Sequence, residues 1–235
     1  MTAAVQSQRT LVKVGAGFAI LGAILGAVGN GLHPHLTNPS LEAFLTLVAS
    51  RADWTALHLT IILSIIFIVG GLFGVYRSLP NEPAAGLARL GFAVAVAGSA
   101  LVAVNFASDG FAMKNIASAW AGASAADQAT MLPAAQVMYQ IDLGFYTVWI
   151  FLFLGLPFVL YGAALIWSDV YPRWLGWLGL IGGAGCTIVG VMQYLGGETT
   201  LLTTLFLVFS VAITIWVFII GLLLWRKSAA ATAIS

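Results

Sequence analysis

Six stretches of the chain stay apolar for about the 20 residues that a helix needs to cross a bilayer: residues 11–31, 57–79, 86–107, 141–167, 173–195 and 201–225. Polar residues gather between these runs rather than recurring along them, so the pattern is that of membrane spans and not of amphipathic helices around a soluble core. It predicts an all-α membrane protein, a six-helix bundle in one domain covering residues 1–235.

The connections divide by length. SLPNEPAAGLAR and WSDVYPR are short, whereas two connections on the other side are long enough to carry structure. In TNPSLEAFLTLVASRADW, Asn38 has the chemistry of a helix cap with Pro39 at the first helical position. Leu41, Phe44, Leu45 and Val48 then share one face, which predicts a short helix lying on the membrane surface. In SAAD, Ser124 and Asp127 have capping-box spacing and Pro133 follows, which predicts a second short surface helix closed by that proline. The hairpin of the second and third runs resembles that of the fourth and fifth. Each enters at a polar residue, His58 or Asp142, and returns through LARLG or RWLGWLG, a pattern that suggests a parallel repeat.

Composition agrees with the pattern. The chain is 61% hydrophobic and 7% charged, with a mean hydropathy of +1.02, whereas soluble domains carry roughly 25% charged residues. The run from Val14 to Leu32 exceeds the 7 to 15 apolar residues typical of a signal peptide, so it reads as a membrane helix. Arg9, Lys13, Arg77, Arg89, Arg173, Arg226 and Lys227 fall on one side of the bundle and only Arg51 and Lys114 on the other. Positive charge is retained in the cytoplasm, so both termini are expected inside and all three histidines outside. The bilayer is the one partner that composition demands, and no nucleic-acid partner is expected.

Gly22 with Gly26, and Gly179 with Gly183, have the small-xxx-small spacing that lets helix backbones approach closely, here expected within the chain. The single Cys186 excludes an intramolecular disulfide and reads as a packing residue.

Polar side chains inside the runs concentrate in the outer third. They are Trp54 and His58, Asn105 and Asp109, Gln140, Asp142 and Tyr146, and Gln193 with Tyr194. An unpaired polar group in hydrocarbon costs several kcal/mol, so this shared depth points to a polar pocket opening outward. His58 lies one turn inside its helix and is expected to pair with Asp142, which would fix its tautomer. In NGLHPHLTNP, His33 and His35 flank a proline. With His58 they form a candidate metal set for copper or zinc, or the axial ligands of a haem b.

Several classes are excluded. Three histidines are too few for a membrane di-iron site, and HExxH, GxSG and Walker A motifs are absent. No charge lies near the midplane of a run, which argues against a proton-coupled pump.

The start YPRWLGWLG, at residues 171–179, with Leu32-His33-Pro34 and the Trp54-x-x-x-His58 spacing, resembles poorly characterised prokaryotic multi-pass membrane proteins of the domain-of-unknown-function type. The resemblance implies a prokaryotic plasma (inner) membrane location and brings no reaction. Three functions follow as expectations. The first is a pocket for a small molecule, lipid or quinone-like ligand without evident catalysis. The others are a haem or copper redox protein using His58 with His33 or His35, and a structural subunit of a membrane complex.

Overall fold

In the computed structural model, which describes residues 3–34, 36 and 39–230, the chain runs as a succession of helices. The first are α1 (Ala3–Leu32), α2 (Leu41–Ser50), α3 (Trp54–Ser78) and α4 (Ala84–Ala107). A π-helical turn at Ser108–Met113 joins α4 to α5 (Lys114–Ala121). After a tight turn come α6 (Ala125–Trp149), a second π-turn at Ile150–Gly155, and α7 (Leu156–Ile166). The chain ends with α8 (Arg173–Gly196) and α9 (Thr200–Ala230).

The protein is an integral membrane protein of the multi-pass kind. Six helical rods are long and apolar enough to cross a bilayer, and their spans run Gln6–Leu32, Trp54–Ser78, Ala84–Ala121, Ala125–Ile166, Arg173–Gly196 and Thr200–Ser228. An even number of crossings returns both ends of the bundle chain to one side. There Lys13 lies over Trp225 and Lys227 over Tyr171.

The helix interfaces follow the small residues. α1 packs mainly on α3 and α9, and α7 on α8. At the α1–α3 crossing a Cβ on Gly15 would stand 2.6 Å from the Gly74 Cα, so neither position has room for a side chain. Gly22 meets Ile68 of α3 and Gly183 meets Val159 of α7, so both glycines serve packing within the chain. Cys186 is buried in the same core.

Two rods are far longer than the runs suggested. The third and fourth spans have 38 and 42 residues, about 57 and 63 Å along the helix at 1.5 Å per residue, against a hydrocarbon core of about 30 Å. Their excess projects at the end opposite the termini and forms a cap with α2. Leu45, Val48, Trp54, Met113, Ala117 and Ala135 make a small core of its own there. Lys114 donates to the carbonyls of Val48, Ala49 and Arg51 at 2.8, 2.9 and 2.8 Å, closing the C-terminus of α2 with a cation.

Several expectations are corrected here. α2 starts at Leu41 and is capped by Ser40, whose hydroxyl accepts from the Ala43 N–H; Asn38 lies outside the described residues. Its apolar face is buried in the cap rather than laid on lipid. Ser124 caps a helix as expected, accepting from the Asp127 N–H at 3.3 Å. That helix is no short segment, because Pro133 lies inside α6. The proline has no N–H to give to the carbonyl of Ala129, and both residues lie on the exposed side of α6, where the helix continues.

Candidate functional site

Where the cap meets the bundle, three side chains from three elements converge. His33 follows the end of α1, His58 stands one turn inside α3, and Asp109 lies in the first π-turn. His58 is 1% exposed. Its Nδ1 lies 2.7 Å from the carbonyl of Trp54, and the Nδ1 of His33 lies 2.9 Å from the carbonyl of Pro34. A carbonyl can only accept, so each Nδ1 carries the proton and each Nε2 of the neutral ring holds a lone pair. The two Nε2 atoms face each other at 3.3 Å. Oδ2 of Asp109 lies 3.0 Å from the His58 Nε2.

The π-turn builds this corner. Two of its main-chain carbonyls accept hydrogen bonds from side chains of α3. Trp54 Nε1 donates to the Asp109 carbonyl at 3.1 Å and Thr55 Oγ1 to that of Gly110 at 2.8 Å. Gly110 lets the turn press on the histidine, since a Cβ there would stand 2.4 Å from the His58 Cβ. Trp54 is therefore a buried brace, 1% exposed, rather than a residue of an interfacial belt.

A second polar group lies beside the first. Asn105 on α4 donates from Nδ2 to the main-chain carbonyl of Asp142 at 3.1 Å and to its Oδ1 at 3.3 Å. Ser108 donates a short hydrogen bond to the same Oδ1. Trp149 Nε1 donates to the Asn105 Oδ1 at 2.8 Å. Asp142 is 7% exposed, and its Oδ2 has no hydrogen-bond partner; Asp109 Oδ1 and Thr203 Oγ1 are buried and unpartnered as well. His58 thus pairs with Asp109 and not with Asp142. The two acids were indistinguishable by depth, and the π-turn decides between them by turning Asp109 toward α3 while Asn105, four residues earlier, faces α6.

Both groups border a cavity of about 140 Å³. Asp109, Asp142 and Glu198 line it together with Asn30, His33 and Thr203, and its walls are aromatic, chiefly Trp54, Phe106, Tyr139, Tyr146, Trp149 and Phe206. Among the described residues three carboxylates and neither lysine nor arginine border it, and burial holds the Glu198 carboxyl above its ordinary range.

Of the residues singled out from the sequence, Trp54, Asn105, Asp109, Asp142, Tyr146 and His33 border the cavity. His58 stands behind that wall against Asp109. Gln193 is buried at 2% exposure without bordering it. Gln140 and Tyr194 are exposed and turn away. On α6 the cavity face runs Tyr139, Asp142, Leu143, Tyr146, Trp149, at steps of three and four, and Gln140 falls off that face. Reading that periodicity through Asp142 would have found Tyr139 and Trp149. Glu198 and Thr203 carry no comparable signal in the sequence. His35 lies outside the described residues.

These features define a multi-pass membrane protein with a capped, acid-lined cavity at one end of its bundle. Residues 14–225 match a family described as a domain of unknown function (DUF4386), and the chain belongs to it. No curated protein and no solved structure matches the chain.

Proposed function

We propose that the protein binds a small, hydrogen-donating organic molecule, above all a protonated amine, in the cavity beneath its cap. The observation that carries this reading is the surplus of acceptors. Asp142, whose buried Oδ2 has no partner, borders a cavity whose other acids among the described residues are Asp109 and Glu198 and which no described lysine or arginine borders. An anion would meet three carboxylates there, whereas an ammonium group would supply the missing donors. The aromatic walls suit it too, because ring faces attract cations. The volume, about 140 Å³, is near that of five waters at roughly 30 Å³ each. It favours a small molecule, or the polar end of a lipid or quinol whose tail leaves between helices.

With the seven basic residues near the termini taken as cytoplasmic, the cavity opens on the extracytoplasmic side of a prokaryotic plasma membrane. The test is the unfolding midpoint of detergent-purified protein against matched panels of small aromatic amines, their neutral hydroxyl analogues and their carboxylates. Amines are expected to raise it, by about 2.7 kcal/mol of stability at a hundred times Kd, and Asp142→Asn to abolish the gain. Stabilisation by the carboxylates alone would overturn the reading.

A further inference from the structure

We propose that His33, His58 and Asp109 form a divalent-metal site, with the two imidazole Nε2 atoms and one carboxylate oxygen as ligands for an ion of the zinc type. The inference shares the charge of Asp109 with the amine-binding reading but rests on a different geometry, since the group that carries that reading is Asp142.

Four observations lead to it. The ligand atoms of the three residues all lie within 4.8 Å of one another. Both rings are oriented by an Nδ1–H donated to a main-chain carbonyl, at 2.7 Å for His58 and 2.9 Å for His33. This outer hydrogen bond is the one that orients metal-binding imidazoles and makes Nε2 the ligating nitrogen. With both rings neutral, lone pairs meet at 3.3 Å between the rings and at 3.0 Å between His58 and the carboxylate. A cation among them turns that repulsion into bonding. Finally, Asp109 keeps a buried, unpartnered Oδ1, so its carboxylate has acceptor capacity to give to an ion.

Charge agrees. Among the described residues three carboxylates border the cavity without a lysine or arginine, so the charge of a dication is compensated there. Two imidazoles and a carboxylate suit zinc and related ions. The three ligands found among the described residues are the number held in sites that bind water or substrate at a fourth position. Because His33 and Asp109 border the cavity, that position faces it. Haem fits less well: a carboxylate completes the donor set, and about 140 Å³ falls below the roughly 300–1,000 Å³ of cofactor pockets. His35, outside the described residues, is not needed.

The alternative that resolves the same lone-pair conflict is a proton on His58, giving an imidazolium paired with Asp109. Metal content separates the two. Tag-free protein, purified without chelator, is dialysed against Zn²⁺ and measured by elemental analysis, and a second sample is titrated with Co²⁺ while its visible absorption is followed. The proposal expects one ion per chain and a Co²⁺ band. Both should be lost, with zinc affinity down about 100-fold or more, in Asp109→Asn and in His33→Gln, two variants that spare the buried ring of His58. Thermal unfolding of each variant shows that it is folded. A metal-free wild type with no Co²⁺ band, or metal binding unchanged in both folded variants, overturns the proposal. Since amine binding is measured separately on Asp142, either reading can fail alone.

Discussion

Replacing Gly110 by alanine tests how tightly the π-turn is pressed against α3. The added Cβ would lie 2.4 Å from the Cβ and 2.8 Å from the Cγ of His58, where carbons in contact stand about 3.5–4.0 Å apart. More than 1 Å of separation must be found, and the histidine has nowhere to go. Its Nδ1 is held by the Trp54 carbonyl, and the rings of Trp54 and Phe106 stand 4.7 and 5.5 Å from its own. The turn must move instead, and with it Asp109. Overpacking of this kind costs about 1–3 kcal/mol. The expected destabilisation is therefore roughly 1–3 kcal/mol, on the order of a 5 °C drop in Tm for a chain of this size. Gly144→Ala is the control. A Cβ there meets nothing within 4 Å, and alanine in a helix interior gains about 0.5–1 kcal/mol over glycine. Thermal unfolding in one detergent, followed by tryptophan fluorescence, should move the two variants in opposite directions. A Gly110→Ala protein as stable as wild type would refute the packing of this corner.

Other substitutions probe the remaining parts. Asn105→Ala strands the Trp149 N–H and removes two donors from Asp142; at about 1–3 kcal/mol per unsatisfied buried group it should cost at least about 2 kcal/mol in denaturant unfolding. Lys114→Met opens three carbonyls at the end of α2, and limited proteolysis should accelerate near residues 50–53 while the bundle stays resistant. Burial raises the Glu198 carboxyl above its ordinary range, so through the window between its unfolded and folded values the folded state holds more protons than the unfolded one. Stability should therefore fall as pH rises through that window and stay lower above it; Glu198→Gln should flatten this slope, and a profile of unfolding midpoint against pH that is identical in both proteins would contradict it.

The membrane spans were legible because length and apolarity alone decide them. Val14 to Leu32 reads as a helix whatever it packs on. The α2 helix of the cap was legible from Leu41, Phe44, Leu45 and Val48, whereas the continuation of α4 was not, since SDGFAMKNIASAW carries polar and small residues that favour no single state and buries Met113 and Ala117 in the core of the cap. Pro133 misled because a proline ordinarily breaks a helix interior, whereas here it stands exposed inside α6 and the helix runs through it. The depth of the polar residues pointed to a pocket, yet the partner of His58 depended on a change of helical phase at Ser108. A π-turn has no sequence signature, so Asp109 and Asp142 looked equivalent until the backbone separated them.

Central to the account is a water-accessible cavity open at the cap end, and cysteine labelling in intact cells tests it most directly. Leu143 and Ile141 lie at the same depth of α6; Leu143 borders the cavity, while Ile141 is 46% exposed on the outer face of the helix. With Cys186 replaced by alanine, a small membrane-impermeant thiol reagent added outside is expected to modify Leu143→Cys and spare Ile141→Cys. Labelling of neither, or of Leu143→Cys from the cytoplasmic side alone, would contradict the cavity as described.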